Sequence, residues 1–328
     1  MRQVEVIEFG GPEVLTIKES PDPRPGPGQL LIDVAVAGVQ SLDGYLRRGA
    51  WPDFLPGPPP YAPGLEAAGV VAAVGDGVDP AWLGRRVVAS LTGGGYASRV
   101  VAGVDDVLPV RDDLDLEQAM ALLHDGSTAA ALLEETPVEA GETVLVLPAA
   151  GGLGSVLVQL AVIAGARVIG AARGSAKLSV IKELGADQAV DYGEPGWPDQ
   201  AGPVDVVFDG VSGDLGRAAF GTVRAGGRYA NYGNASGAES FVTPDEASGR
   251  GIRLRGMEQL ESFLAERSRR FADVQRLAAA GTIRPIIGRT YPLDQVAEAH
   301  RAIEAREISG KVLLIPGRPG EPGGAPGR

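Results

Sequence analysis

Up to about residue 115 the chain alternates short runs of Val, Ile and Leu with turns rich in Gly and Pro. Residues 30–37, 68–74 and 86–90 are the clearest runs, and residues 1–7 alternate apolar and polar positions in the same way. Period-two segments between turn residues predict an antiparallel, barrel-like β domain. Beyond that point the rhythm changes. Strand-like runs at 143–147, 167–171, 189–191, 204–209 and 227–232 are separated by helical stretches starting near Ser155, Ser175 and Ser212. Strands spaced by helices need crossover connections, which predicts an α/β, doubly wound domain with a parallel sheet. From about residue 257 a long helical stretch leads to a strand candidate at 282–287, a helix at 293–305 and a last strand at 311–315, expected to return to the first domain. The division read from the sequence is therefore residues 1–118 with 264–316, and 119–263. Residues 317–328, rich in Gly and Pro and without a large apolar side chain, are expected to form a disordered tail.

The most informative turn joins the run 144–147 to the helix after it and reads Pro148-Ala149-Ala150-Gly151-Gly152-Leu153-Gly154-Ser155. A pyrophosphate binds backbone N–H groups at a helix N-terminus, so such a turn must be free of bulky side chains. Ala149, Gly151 and Gly154 occupy the three small-residue positions of the dinucleotide fingerprint, with Ala at the first. Ala150, Gly152 and Leu153 complete the cradle. Glycine clusters at strand-to-helix turns are common, and the next strand sharpens the reading. A site for NAD would end that strand in Asp or Glu, to accept from the ribose hydroxyls. Here the sequence is Ala171-Ala172-Arg173-Gly174-Ser175-Ala176-Lys177, with no acid. Arg173 as a planar fork, Ser175 as a hydroxyl donor and Lys177 as a point charge suit a 2′-phosphate, which points to NADPH.

Composition removes alternatives. A chain of 328 residues, 44% of them hydrophobic, can bury two cores. The net charge of −12 and the absence of a long Lys/Arg run argue against a nucleic-acid surface. With no cysteine there is neither disulfide nor thiolate chemistry, and the reducing cytoplasm is the expected compartment. Neither a signal core nor a run of the ~18 apolar residues needed to span a membrane is present, so the protein is expected to be neither exported nor anchored.

Several ordered segments resemble the medium-chain dehydrogenase/reductase superfamily, and within it the zinc-independent quinone oxidoreductase family that includes zeta-crystallin. They are Pro63-Gly64-Leu65-Glu66-Ala67-Ala68-Gly69 with Val74-Gly75-Asp76-Gly77, Gly94-Gly95-Tyr96-Ala97, the turn Ala149 to Gly154, Leu184-Gly185-Ala186-Asp187 with Tyr192, Gly233-Asn234-Ala235-Ser236-Gly237, and Gly310-Lys311-Val312. The match runs from residue 1 to about 316. The resemblance implies a Rossmann-type NADPH-binding domain, a GroES-like, mostly antiparallel β-barrel catalytic domain, and a homodimer. It implies contact with the cofactor by Gln40, Tyr45, Thr128, Gly152, Leu153, Lys177, Tyr192, Gly233, Asn234 and Ser236, with Gly310 and Lys311 near the nicotinamide.

The superfamily's zinc branch needs three protein ligands around an open site. It carries a Cys in the segment that here reads Gly38-Val39-Gln40-Ser41-Leu42-Asp43, and a His where this chain has Leu65. Only His124 and His300 exist, the first expected to be a partly buried hydrogen-bonding residue and the second structural. Without a metal, the chemistry falls to NADPH and to hydrogen-bond donors from the chain. The family's Asn is replaced by Gln40, which shifts an amide by one methylene. Related enoyl reductases place a proton-donating Tyr in the segment that here reads Gly49-Ala50-Trp51-Pro52. Trp51 is better suited to stacking on a planar acceptor than to giving up a proton. Tyr45, Gln40 and Trp51 are thus the catalytic candidates. The reading is hydride transfer from NADPH to a small-molecule quinone or similar conjugated carbonyl. Two alternatives stay open: reduction of an activated double bond in an enone, alkenal or enoyl thioester, and non-catalytic NADPH binding.

Overall fold

The structure is a computed structural model and describes residues 1–50, 57–238 and 242–317. The chain divides into two compact units, one of Met1–Leu123 with the segment from Ile287 onward, the other His124–Ile286. In this division the returning segment begins at Ile287, and residues 264–286 stay with the second unit.

The first unit carries β1 (Arg2–Val6), β2 (Leu15–Glu19), β3 (Gln29–Val39), α1 (Ser41–Arg47), β4 (Glu66–Val74), β5 (Arg86–Ser90), β6 (Arg99–Gly103), β7 (Val107–Pro109) and α2 (Leu116–Leu123). The second unit follows with α3 (Asp125–Glu135), β8 (Thr143–Leu147), α4 (Gly152–Ile163), β9 (Arg167–Ala172), α5 (Ser175–Glu183), β10 (Gln188–Asp191), α6 (Trp197–Ala201) and β11 (Val204–Asp209). It continues through α7 (Gly213–Thr222), β12 (Val223–Asn231), α8 (Pro244–Gly249), β13 (Arg253–Arg255) and α9 (Arg267–Ala279). The chain then re-enters the first unit with β14 (Ile287–Pro292), α10 (Val296–Glu304) and β15 (Lys311–Ile315).

The expected barrel-like domain is a seven-stranded sheet in the order β14-β15-β3-β4-β5-β7, with β6 also on β3, beside a two-stranded β1-β2 sheet. Every pair is antiparallel except β14 with β15. The strand foreseen at 282–287 starts only at Ile287. Pro285 lacks the N–H that a sheet ladder needs, which removes the preceding residues from the strand. The long helix expected from residue 257 is a 3₁₀ segment, Met257–Leu264, followed by α9.

The second unit is the doubly wound sheet, β10-β9-β8-β11-β12-β13, parallel throughout. All five residues of β8 are buried, as a central strand covered on both faces requires. Leu145, Leu147, Ile169, Val207, Phe220 and Tyr229 belong to one buried cluster. The first unit has separate clusters, one around Val4, Val39 and Leu314 and another around Leu30, Val71 and Val87.

Candidate functional site

From β8 the chain steps outward through β9 to β10, then returns to the other side of β8 and steps outward through β11, β12 and β13. The loops leaving β8 and β11 therefore diverge, and a crevice opens beyond the carboxyl ends of these strands, where doubly wound sheets bind ligands. The fingerprint turn lies there. Its helix α4 starts at Gly152, and its N-cap Gly151 brings no side-chain acceptor to the first turn. A Cβ on Gly154 would stand 2.0 Å from the carbonyl oxygen of Pro148, so only glycine lets the helix sit this close to the turn. Ala149 and Ala150 are buried, while Gly151, Gly152 and Leu153 stay partly accessible. A helix start with backbone donors, a glycine N-cap and no room for a Cβ at Gly152, which lies against the Asp125 carboxyl, or at Gly154 fits a pyrophosphate.

The next turn has the same design. Beyond β9, Arg173 is exposed, and Gly174 caps α5 at φ 87°, a conformation that suits glycine. Ser175 opens α5, exposed, and Lys177 lies half-buried in its first turn. The Arg173 guanidinium stands 6.0 Å from the ring centre of the buried Tyr192. Asp191, at the end of β10, accepts hydrogen bonds from the backbone N–H groups of Gly174 and Gly193, both at 2.8 Å, and so fixes this corner. The sequence reading passed over Asp191, although an acid directly before Tyr192 at a strand end was available as a signal. Thr128, buried on α3, is in the same unit, and its N–H donates to the carbonyl of His124. His124 itself is exposed at the start of α3, not partly buried as expected, because it lies at the junction between α2 and α3.

On the other side of β8, the turns after β11 and β12 are cross-linked. Asp209 is buried and accepts from the N–H groups of Val211 (2.7 Å) and Ser212 (3.0 Å) and from the Tyr229 hydroxyl (2.5 Å). Burial pushes its carboxyl above the usual carboxylate range, and the donors around it only partly offset that. Following Gly233, Asn234 donates to the Ala238 carbonyl at 2.9 Å, and the Ser236 hydroxyl donates to the Asn234 side-chain oxygen at 3.0 Å.

Gln40, Tyr45 and Lys311 belong to the first unit. Gln40 precedes α1, and its N–H donates to Asp43 Oδ2 at 2.8 Å. Tyr45 is half-buried, with the Arg48 guanidinium 5.1 Å from its ring centre. Val312 pairs with Val39, which sets Lys311 and Gln40 at the same end of the β15-β3 ladder. Gly310, just before Lys311, has φ 80°. Lys311 Nζ is ion-paired with Glu66 Oε1, and the two side chains are only 4% and 1% exposed. Asp43 lies in the same polar interior, its carboxyl pushed up to about 7 by burial, with Glu66 adding to the rise and the Gln40 N–H, the Tyr96 hydroxyl and Lys311 opposing it. His300 is buried and faces Arg47 through Nδ1 at 3.0 Å, and burial followed by the charge of Arg47 pushes it down to about 3. None of these buried acids stood out in the sequence, where burial leaves no mark. Trp51 lies outside the described residues.

An antiparallel unit followed by a parallel sheet of order 3-2-1-4-5-6 with a small-residue turn after its first strand is the architecture of a medium-chain dehydrogenase/reductase. Two family patterns match: the alcohol dehydrogenase GroES-like domain over residues 26–112, and zinc-binding dehydrogenase over residues 184–314. The chain is 33% identical over 328 residues to a probable quinone oxidoreductase of Schizosaccharomyces pombe, covering 95% of this chain and 96% of the relative. It is 31% identical to a 2-haloacrylate reductase of a Burkholderia species, covering 94% and 96%. Among solved structures, the Escherichia coli quinone oxidoreductase complexed with NADPH superposes with a TM-score of 0.88 at 29% identity, covering 96% of this chain and all of that one. The chain belongs to the quinone oxidoreductase family of oxidoreductases within this superfamily.

Proposed function

We propose that the protein is an NADPH-dependent oxidoreductase that works without a metal and reduces a quinone or a similar conjugated carbonyl. The observation that carries this is the corner after β9, where Arg173, Ser175 and Lys177 gather at the start of α5 and Asp191 is engaged by two backbone N–H groups. A 2′-phosphate is suited to that corner, and a pyrophosphate to the start of α4. When bound, NADPH supplies a hydride. Negative charge then develops on the acceptor oxygen and needs donors. The Gln40 amide and the Tyr45 hydroxyl are assigned that task, Tyr45 holding at Oη the proton that ends on the oxygen. Thr128, Tyr192, Gly233, Asn234, Ser236 and Lys311 are assigned to holding the cofactor.

A homodimer in the cytoplasm is part of the same reading, supported by the family and by the lack of cysteine. Among the described residues no helix is long and apolar enough to cross a membrane. The likeness to a 2-haloacrylate reductase supports a second reading, reduction of an activated carbon–carbon double bond. Consumption of NADPH with a simple quinone and a simple enone side by side, with NADH as control, tests both. Turnover with the quinone supports the first reading and turnover with the enone alone the second. Tight NADPH binding with no turnover on either leaves a non-catalytic role.

A further inference from the structure

Ser212 has φ 61° and ψ −165°, a region that glycine occupies and side chains rarely enter. Among the described residues twenty glycines have positive φ, and only one other non-glycine, Arg306, does. Where this chain needs positive φ it uses glycine, so the serine calls for a reason. Helix capping is not that reason. Ser212 is the N-cap of α7, yet its side chain accepts nothing from the helix. The buried hydroxyl instead donates to the Gly233 carbonyl at 2.9 Å and accepts from Asn231 Nδ2 at 2.9 Å. Asp209 holds the backbone in place by accepting from the Ser212 N–H.

The result is a staple between two turns. Residues 210–213 follow β11 and residues 233–238 follow β12. Two further bonds join them, from Ala235 N–H to the Gly210 carbonyl at 3.0 Å and from Ser236 N–H to the Val211 carbonyl at 2.8 Å. In the strand order β9-β8-β11-β12, a cofactor with its pyrophosphate at the start of α4 and its adenosine phosphate beyond β9 extends its other half over β11 and β12. We infer that Ser212 is a positioning residue that sets the shape of the crevice for the nicotinamide half of the cofactor, by fastening the turn that carries Asn234 and Ser236. This rests on reading the crevice as an NADPH site.

Two variants of the full chain, Ser212→Gly and Ser212→Ala, test it, with NADPH and 2′,5′-ADP as ligands in calorimetric titration. Glycine relieves the backbone and removes the staple. Alanine keeps the strained backbone and removes only the hydroxyl. Both variants are expected to bind NADPH about tenfold more weakly, or about 1.4 kcal/mol, and 2′,5′-ADP as the unaltered protein does. The thermal midpoint of the glycine variant is expected above that of the alanine variant. NADPH affinity within twofold of the original in both variants, or a parallel loss for both ligands, would overturn the inference. If the unaltered protein binds neither ligand, the cofactor reading falls and the inference with it, an outcome distinguished by the unaltered protein alone.

Discussion

Lys311 and Glu66 form an ion pair inside the first unit, with both side chains almost wholly removed from solvent. Two charges in such a place hold each other, and removing one strands the other in a low dielectric. Lys311→Met is therefore expected to cost about 3–5 kcal/mol of stability, measured by denaturant unfolding. The double substitution Lys311→Met with Glu66→Gln should recover a large part of the loss. Equal instability of the single and double variants would show that the lysine contributes through packing rather than charge.

Arg173→Ala combined with Lys177→Ala should weaken NADPH by about two to four powers of ten, taking roughly 1.5–3 kcal/mol for each of two hydrogen bonds to a charged group. NADH, without the 2′-phosphate, should lose far less. Dissociation constants for the two cofactors, measured at one ionic strength, give the answer. Equal losses would contradict the assignment of the 2′-phosphate to this corner.

Asp43 ties stability to pH. Its carboxyl has an ordinary value of 3.8 in an unfolded chain and about 7 in the fold. Between those values the native state keeps the proton and the unfolded state gives it up, so its contribution falls as pH rises, by up to roughly 4 kcal/mol across the window. Asp43→Asn keeps an acceptor for the Gln40 N–H and cannot ionise. The variant should gain stability relative to the unaltered protein as pH is raised from about 4 to 7. A pH-independent difference would show that Asp43 is not protonated in the native state.

His300 acts in the opposite sense. Held neutral in the fold down to about pH 3 and ordinarily titrating at 6.5, it takes up a proton first in the unfolded chain. Stability is lost as pH falls from about 6.5 towards 3. His300→Gln, which keeps an acceptor for Arg47, should flatten that acid limb in thermal melts at successive pH values.

The sequence was most legible where local chemistry and local structure coincide. The run 143–147 is β8 to the residue, because a central parallel strand must be apolar throughout. The strand-to-helix turns at 148–154 and 173–177 also fall where the sequence sets them, at the starts of α4 and α5, because small residues and helix starts are local features. The edge of the second unit was not legible in that way. Pro285 moves the start of β14, and α9 stays with the second unit through packing against α3, which no periodicity announces. The sequence places a helix start near Ser212, and only the backbone angle shows that the serine is unusual there. The burial of Asp43 and Glu66 could not be read at all, because what buries them comes from distant segments of the chain.

The glycine starts of α4 and α5 divide recognition between two kinds of atoms. In the proposed assignment the part common to both nicotinamide cofactors is held by main chain, which point substitutions do not easily erase. The part that differs is met by Arg173, Ser175 and Lys177, none of them fully buried. Cofactor preference is thereby separable from the fold, and a descendant of this chain could exchange one redox currency for the other by changing a few accessible side chains.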